Sequence, residues 1–145
     1  MRRVIISGGG TGGHIYPAIT IARAIADIEP TEFLYVGSKI GLENTLIPKE
    51  GLPFVTLDVR GLERKISVRN LVTLGKTAGS LIKAEGIIHK FKPDVVIGTG
   101  GFVCGPVLLA ASLSGVPTLI QEQNVIPRRY QYDFEPLRQP RSPGL

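Results

Sequence analysis

The chain has 145 residues, 43% of them apolar and 20% charged, with a net charge of +5. That length supports one domain with a real core, and the single cysteine, Cys104, excludes an internal disulfide and fits a reducing compartment. No run approaches the ~18 apolar residues of a membrane span, and the stretch after Met1-Arg2-Arg3 is too short for a signal-peptide core.

The positive charge favours phosphate or anionic-lipid partners, and nucleic acid less so. In chain order, strands and helices alternate. Val4-Ile5-Ile6 is a β-branched run of the kind buried on both faces of a sheet. Gly8, Gly9, Gly10, Thr11, Gly12 and Gly13 follow, and Pro17 is placed where a first helical turn tolerates a missing N–H. Ala18, Ile19, Ile21, Ala22, Ile25 and Ala26 then recur at helical spacing. A second strand spans Phe33 to Val36, and a short helix spans Gly41 to Ile47, stopped around Pro48 to Gly51. Phe54 to Leu57 is a third strand. Apolar spacing from Ser67 to Phe91 predicts a long helix, and Asp94 to Ile97 a fourth strand. A further helix runs from Gly105 to Leu113 with Gly115 as its stop, and Thr118 to Ile120 is a fifth strand. This alternation predicts an α/β fold, a Rossmann-like parallel sheet with helices on both faces.

The glycine stretch carries the functional signal. Gly8-x-Gly10-x-x-Gly13 matches a dinucleotide fingerprint, but that reading also needs an acid about 20 residues on, at the end of the second strand. Gly37-Ser38-Lys39 stand there instead. A Walker loop needs Gly-Lys-Ser/Thr, which is absent. Chain reversal alone needs fewer than these five glycines. A glycine turn opening a helix frees backbone N–H groups for a phosphate. In parallel sheets, ligands sit beyond the carboxyl ends of the strands. That rule gathers Gly8 to His14, a second glycine loop from Gly98 to Pro106, and Gln121-Glu122-Gln123-Asn124 onto one edge. A cleft for a phosphorylated, hydroxyl-rich ligand accounts for all three.

Gly9-Gly10-Thr11-Gly12-Gly13-His14 with Pro17-Ala18, then Gly98-Thr99-Gly100-Gly101-Phe102, then Gln121-Glu122-Gln123-Asn124 resemble the N-terminal domain of the MurG family. These are UDP-N-acetylglucosamine (UDP-GlcNAc) transferases that convert lipid I to lipid II in peptidoglycan synthesis. The resemblance runs to about Pro127 and implies that residues 1–127 form the N-terminal, acceptor-handling domain of a two-domain GT-B glycosyltransferase. It implies that Thr11, Gly12, Gly13 and Asn124 reach UDP-GlcNAc. His14 is then the general base for inverting attack by the acceptor 4-hydroxyl, or else a residue that orders the loop. Glu122 shares the base role, orients the acceptor, or ties its loop to backbone N–H groups. Gly10, Thr99, Gly100, Gly101, Phe102 and Gly105 bind the lipid I diphosphate, chiefly through backbone amides. Phe102 stands where some relatives carry tyrosine, so it has no hydroxyl role. Cys104 reads as a small packed residue and His89 as solvated. No metal or cofactor is expected.

Arg60, Arg64, Lys65, Arg69, Lys76 and Lys83 cluster around the long helix beside Val68, Leu71, Val72 and Leu81. The resemblance implies peripheral docking on the cytoplasmic face of the bacterial plasma membrane, with Arg64, Lys65, Arg69 and Lys76 on anionic lipid. The alternative is a helix that packs its apolar stripe on the sheet.

After Pro127 the pattern changes. Arg128 to Leu145 reads RRYQYDFEPLRQPRSPGL, with no helical or strand period. One back-translation of it, shifted by one base, reads Gly-Val-Thr-Asn-Thr-Ile-Leu-Ser-Arg-Phe-Ala-Asn-Arg-Val-Ala-Leu-Gly-Tyr, which is what the resemblance calls for. The expectation is a frameshift near codons 127–128 that leaves residues 128–145 as an aberrant, disordered tail. The C-terminal donor domain is then absent, and the fragment alone is inactive. The alternatives are a genuine variant tail, another GT-B or nucleotide-sugar enzyme such as a 2-epimerase or glycolipid synthase, or a non-catalytic binding half of a split transferase.

Overall fold

The computed structural model describes residues 1–59 and 68–121, with residues 68–77 described by backbone only. The elements are β1 (Arg2–Gly8), α1 (Gly12–Ile28), β2 (Thr31–Ser38), α2 (Glu43–Lys49), β3 (Phe54–Leu57), α3 (Val68–Phe91), β4 (Val95–Gly100), α4 (Cys104–Leu113) and β5 (Thr118–Ile120). All five strands pair in parallel in the order β3-β2-β1-β4-β5. The chain steps outward from β1 to β3, then crosses back to lay β4 on the other side of β1. The switch point therefore lies between β1 and β4, the two strands that end in glycine loops.

The period of two along the strands assigns each core residue to a face. Val4, Ile6, Phe33, Tyr35 and Ile97 are buried with Ile15, Ala18, Ile19 and Ala22 of α1 and Ile47 of α2. Ile5, Val36, Val96 and Leu57 are buried on the opposite face with Ala84 and Ile88 of α3 and Val107, Ala110 and Ala111 of α4. Each fully buried Val or Ile contributes about 1.5–3 kcal/mol, and the alanines let the helices lie close to the sheet. Helices cover both faces, as the alternation predicts.

Several boundaries move. α2 starts two residues late and carries Pro48 inside it rather than at its stop. The glycines from Gly98 to Gly100 belong to the ladder, where Ser7 pairs with Gly98 and Gly8 with Gly100 across a bulge. α1 begins at Gly12, five residues before Pro17, so Pro17 sits in the second turn rather than the first. The start is set by Thr11, whose extended backbone (φ −122°, ψ 161°) caps the helix. Its carbonyl accepts from His14 N at 3.1 Å and Ile15 N at 3.2 Å. Pro17 has no N–H for the Gly13 carbonyl one turn back.

The second half of α3 packs on the sheet. Ala84 and Ile88 are buried there and Leu81 lies half-buried against them, whereas Ile82 is exposed. Lys83 Nζ donates to Thr56 O at 2.8 Å, so this lysine is tied to β3. Arg60, Arg64 and Lys65 lie outside the described residues, as do the side chains of Val68, Arg69, Leu71, Val72 and Lys76. The tail from Arg128 lies outside them too.

Candidate functional site

The two glycine loops are locked together at the switch point. Gly9 N donates to Gly100 O at 3.1 Å. The buried Thr99 donates its hydroxyl to His14 O at 2.6 Å. The loops approach so closely that a Cβ on Gly101 would lie 2.5 Å from Gly9 O, and one on Gly100 would overlap the His14 ring, 2.8 Å from Nε2. Gly100 and Gly101 also have φ of +120° and +94°, a region that side chains disfavour.

His14 lies in this junction, half-buried. Its Nδ1 is 3.0 Å from Gly9 O. A carbonyl oxygen only accepts, so the contact requires the proton on Nδ1 and, in the neutral ring, leaves the lone pair on Nε2. Nε2 has no hydrogen-bond partner among the described residues. One ring nitrogen orders the loop and the other stays available for a proton.

Some loop amides are already occupied. Gly10 N donates to Glu43 Oε1 at 3.2 Å, and Gly100 N to Cys104 Sγ at 3.2 Å. The amides of Gly12 and Gly13, in the first turn of α1, have no intrahelical acceptor and sit at its positive end.

A pocket of about 200 Å³ collects Gly10, Thr11, His14, Gly101 and Phe102, with Ser38 and Ile40 closing it from the end of β2. Phe102 is 70% exposed at its rim. Gly12 and Gly13 line a different pocket, about 530 Å³, with Tyr16 and Gln121. The structure thus divides the residues that the sequence places in one cleft between two flanks of the α1 N-terminus. Thr99 and Gly100 pack inward beneath the first pocket. Gly105 is exposed in the first turn of α4 and lines neither. Glu122 and Asn124 lie outside the described residues.

Sequence reasoning missed Glu43. It has no exposed surface, and besides Gly10 it accepts from Ser38 N at 3.0 Å. The Ser38 hydroxyl, 3.0 Å from Oε2, is shared with Ile40 O. Gly9, Gly37 and Gly41 make the space, since a Cβ on any of them would overlap this side chain. An acid does return to the end of β2, but it binds the protein's own loop. The only sequence signal was a pair of glycines, Gly37 and Gly41, just ahead of it.

Two buried groups brace the junction. Tyr35 donates to Gly8 O at 2.8 Å, and burial pushes its phenol well above the ordinary value. The Cys104 thiol is shared between Ser7 O at 2.9 Å and Gly100 O at 3.1 Å, and burial pushes it up. A raised thiol holds less thiolate at any given pH. Cys104 is therefore expected to react with iodoacetamide more slowly in the folded chain than in the denatured chain at mildly alkaline pH. Equal rates would contradict this packing.

The sequence profile of the glycosyltransferase family 28 N-terminal domain matches residues 4–132. Over 126 residues the chain is 54% identical to the UDP-N-acetylglucosamine--N-acetylmuramyl-(pentapeptide) pyrophosphoryl-undecaprenol N-acetylglucosamine transferase of Thermoanaerobacter sp. (strain X514), covering 86% of this chain and 35% of that one. The corresponding transferase 2 of Bacillus thuringiensis (strain Al Hakam) is 48% identical over the same shares. The chain thus spans about 35% of the length of the curated relatives it matches. Among solved structures, Acinetobacter baumannii MurG superposes with a TM-score of 0.76 at 30% identity, over 92% of this chain and 39% of that one. The UDP-GlcNAc 2-epimerase of Neisseria meningitidis shares the fold, with a TM-score of 0.61 at 13% identity over 93% of this chain and 36% of its own. Strand order, glycine loops and sequence agree, and the chain belongs to glycosyltransferase family 28 through its N-terminal domain.

Proposed function

We propose that this chain is the acceptor-side half of an inverting N-acetylglucosaminyltransferase. It passes N-acetylglucosamine from UDP-GlcNAc to lipid I, undecaprenyl-diphosphate-MurNAc-pentapeptide, to make lipid II. The observation that carries the reading is the His14 imidazole, fixed by Nδ1 with Nε2 unpartnered among the described residues, at the wall of a pocket between two glycine loops. In this role Nε2 takes the proton of the acceptor 4-hydroxyl as that oxygen attacks the anomeric carbon. The bond to UDP breaks on the opposite side, which inverts the centre. A positioned base of this kind contributes about 10²–10⁴-fold.

Residues 1–127 form the acceptor domain in this reading, and a second domain closes the cleft and grips the nucleotide. Thr11, Gly12 and Gly13 meet the donor diphosphate at the positive end of α1, and Asn124 meets the donor sugar. Glu122 orients the acceptor. Gly101, Phe102 and Gly105 offer amides to the acceptor diphosphate. Gly10, Thr99 and Gly100, whose polar groups are partly committed within the protein, act by shaping the approach. Arg64, Lys65, Arg69 and Lys76 rest on anionic lipid at the cytoplasmic face of the plasma membrane, where a lipid-linked acceptor is met. No helix among the described residues is long and apolar enough to cross a membrane.

The test joins residues 1–127, in frame, to the remaining length of the Thermoanaerobacter relative. Transfer from radiolabelled UDP-GlcNAc to a short-chain lipid I analogue is then followed. Transfer that requires the analogue supports the reading. A folded fusion that binds UDP-GlcNAc but leaves the analogue unglycosylated contradicts it.

A further inference from the structure

We propose that Glu43 is a positioning residue that orients and polarises His14 through the Gly9–Gly10 peptide unit. Glu43 Oε1 accepts from Gly10 N at 3.2 Å, and His14 Nδ1 contacts Gly9 O at 3.0 Å. That N–H and that C=O belong to the same planar amide, whose two ends point in opposite directions. Carboxyl, peptide and imidazole therefore form one hydrogen-bonded chain.

The chain has a chemical consequence. A carboxyl accepting from the amide N–H pushes electron density toward the carbonyl oxygen. Linked hydrogen bonds of this kind strengthen one another by roughly 10–30% each. The Gly9 carbonyl becomes a better acceptor for Nδ1–H, which selects that tautomer and keeps the lone pair on Nε2. Where a carboxylate bonds an imidazole directly, it sets tautomer and ring orientation in the same way. Here one peptide unit is interposed.

The surroundings of Glu43 fit this task. It has no exposed surface, its second oxygen is pinned by Ser38 N at 3.0 Å, and Gly9, Gly37 and Gly41 make the space it fills, since a Cβ on any of them would overlap it. The Gly10 φ of +91° is the turn that presents N–H to the carboxyl. On the far side, Gly100 lies against the ring, so the imidazole is held between the peptide and the second loop.

The role matters only if His14 works as a base, so it rests on the reading above, but its test needs no turnover. The ¹⁵N-labelled full chain is examined by long-range ¹H–¹⁵N correlation of its imidazoles at a pH where they are neutral. The exposed His89 serves as an internal reference. The native chain is expected to show His14 protonated on Nδ1, unlike His89. In Glu43→Gln, whose neutral carboxamide accepts more weakly and must set its NH₂ against either the Gly10 or the Ser38 N–H, the Nδ1–H share of His14 falls toward that of His89. A purely structural Glu43 would lower stability and leave the tautomer of the folded variant unchanged. If Glu43→Gln does not fold, Glu43→Asp is read in the same way, because its carboxyl withdraws from Gly10 by one methylene. Native His14 protonated on Nε2, or a folded variant with the native tautomer ratio, overturns the proposal. A failed transfer assay leaves it standing.

Discussion

Gly100→Ala is expected to unseat His14 and to lower the stability of the chain by about 2–4 kcal/mol. Two independent costs add. The Gly100 φ of +120° is a backbone conformation close to glycine-only, and forcing a side chain into it costs about 1–3 kcal/mol. The new Cβ would also overlap the imidazole, 2.8 Å from Nε2. The ring cannot step aside without giving up its Nδ1 bond to Gly9 O, and its backbone is held by the Thr99 hydroxyl. Urea denaturation of the full chain reads the loss. Gly105→Ala is the control, because a Cβ there meets nothing within 4 Å. In a helix that change is neutral or stabilising by about 0.5–1 kcal/mol. Equal midpoints for the two variants would mean that the loops are not packed as described.

Glu43→Ala is expected to cost about 3–5 kcal/mol. The side chain has no exposed surface, and its removal strips the acceptor from Gly10 N and Ser38 N together. Both donors lie in part-buried bonds, where orphaning each costs up to about 1–3 kcal/mol, and the cavity left by the fully buried side chain adds to that. Against a total stability of roughly 5–15 kcal/mol for a domain, this is a large share. The same denaturation series measures it. A loss below about 1 kcal/mol would show water replacing the carboxyl without strain, contrary to the tight glycine packing around it.

The strand centres were legible because β-branched runs such as Val4-Ile5-Ile6 and Val95-Val96-Ile97 have few other uses. The strand ends were not. Gly98 and Gly100 carry no side chain to mark a period, so their place in the β4 ladder reads as loop until β1 is laid beside them. The start of α1 was misplaced for a related reason. Thr11 caps the helix with its backbone and makes no side-chain cap bond, while Pro17 offers a conspicuous but misleading start signal. The parallel sheet followed from alternation, but the order β3-β2-β1-β4-β5, which sets both glycine loops at the switch point, is read only from the structure.

At the site, Nδ1 of His14 contacts the loop while Nε2 has no partner among the described residues, so the loop-ordering reading and the proposed base reading fall on different atoms of one ring. Only coordinates separate the two nitrogens. Glu43 was invisible because its partners, Gly9 and Gly10, lie more than 30 residues earlier. A buried acid at the start of a short helix looks like any solvated one. Nothing in the sequence signals that Thr11 lines one pocket while Gly12 and Gly13 line another on the other flank of the α1 N-terminus.

The most direct measurement is the turnover of His14→Ala in the two-domain fusion, with kcat and KM for the lipid I analogue determined separately. A general base acts in the transition state and little in the ground state. The account predicts a kcat lower by about 10²–10⁴-fold with KM nearly unchanged. A kcat within a few-fold of the unsubstituted fusion, in a variant that folds normally, would contradict it and leave His14 as a residue that only holds the glycine loop in shape.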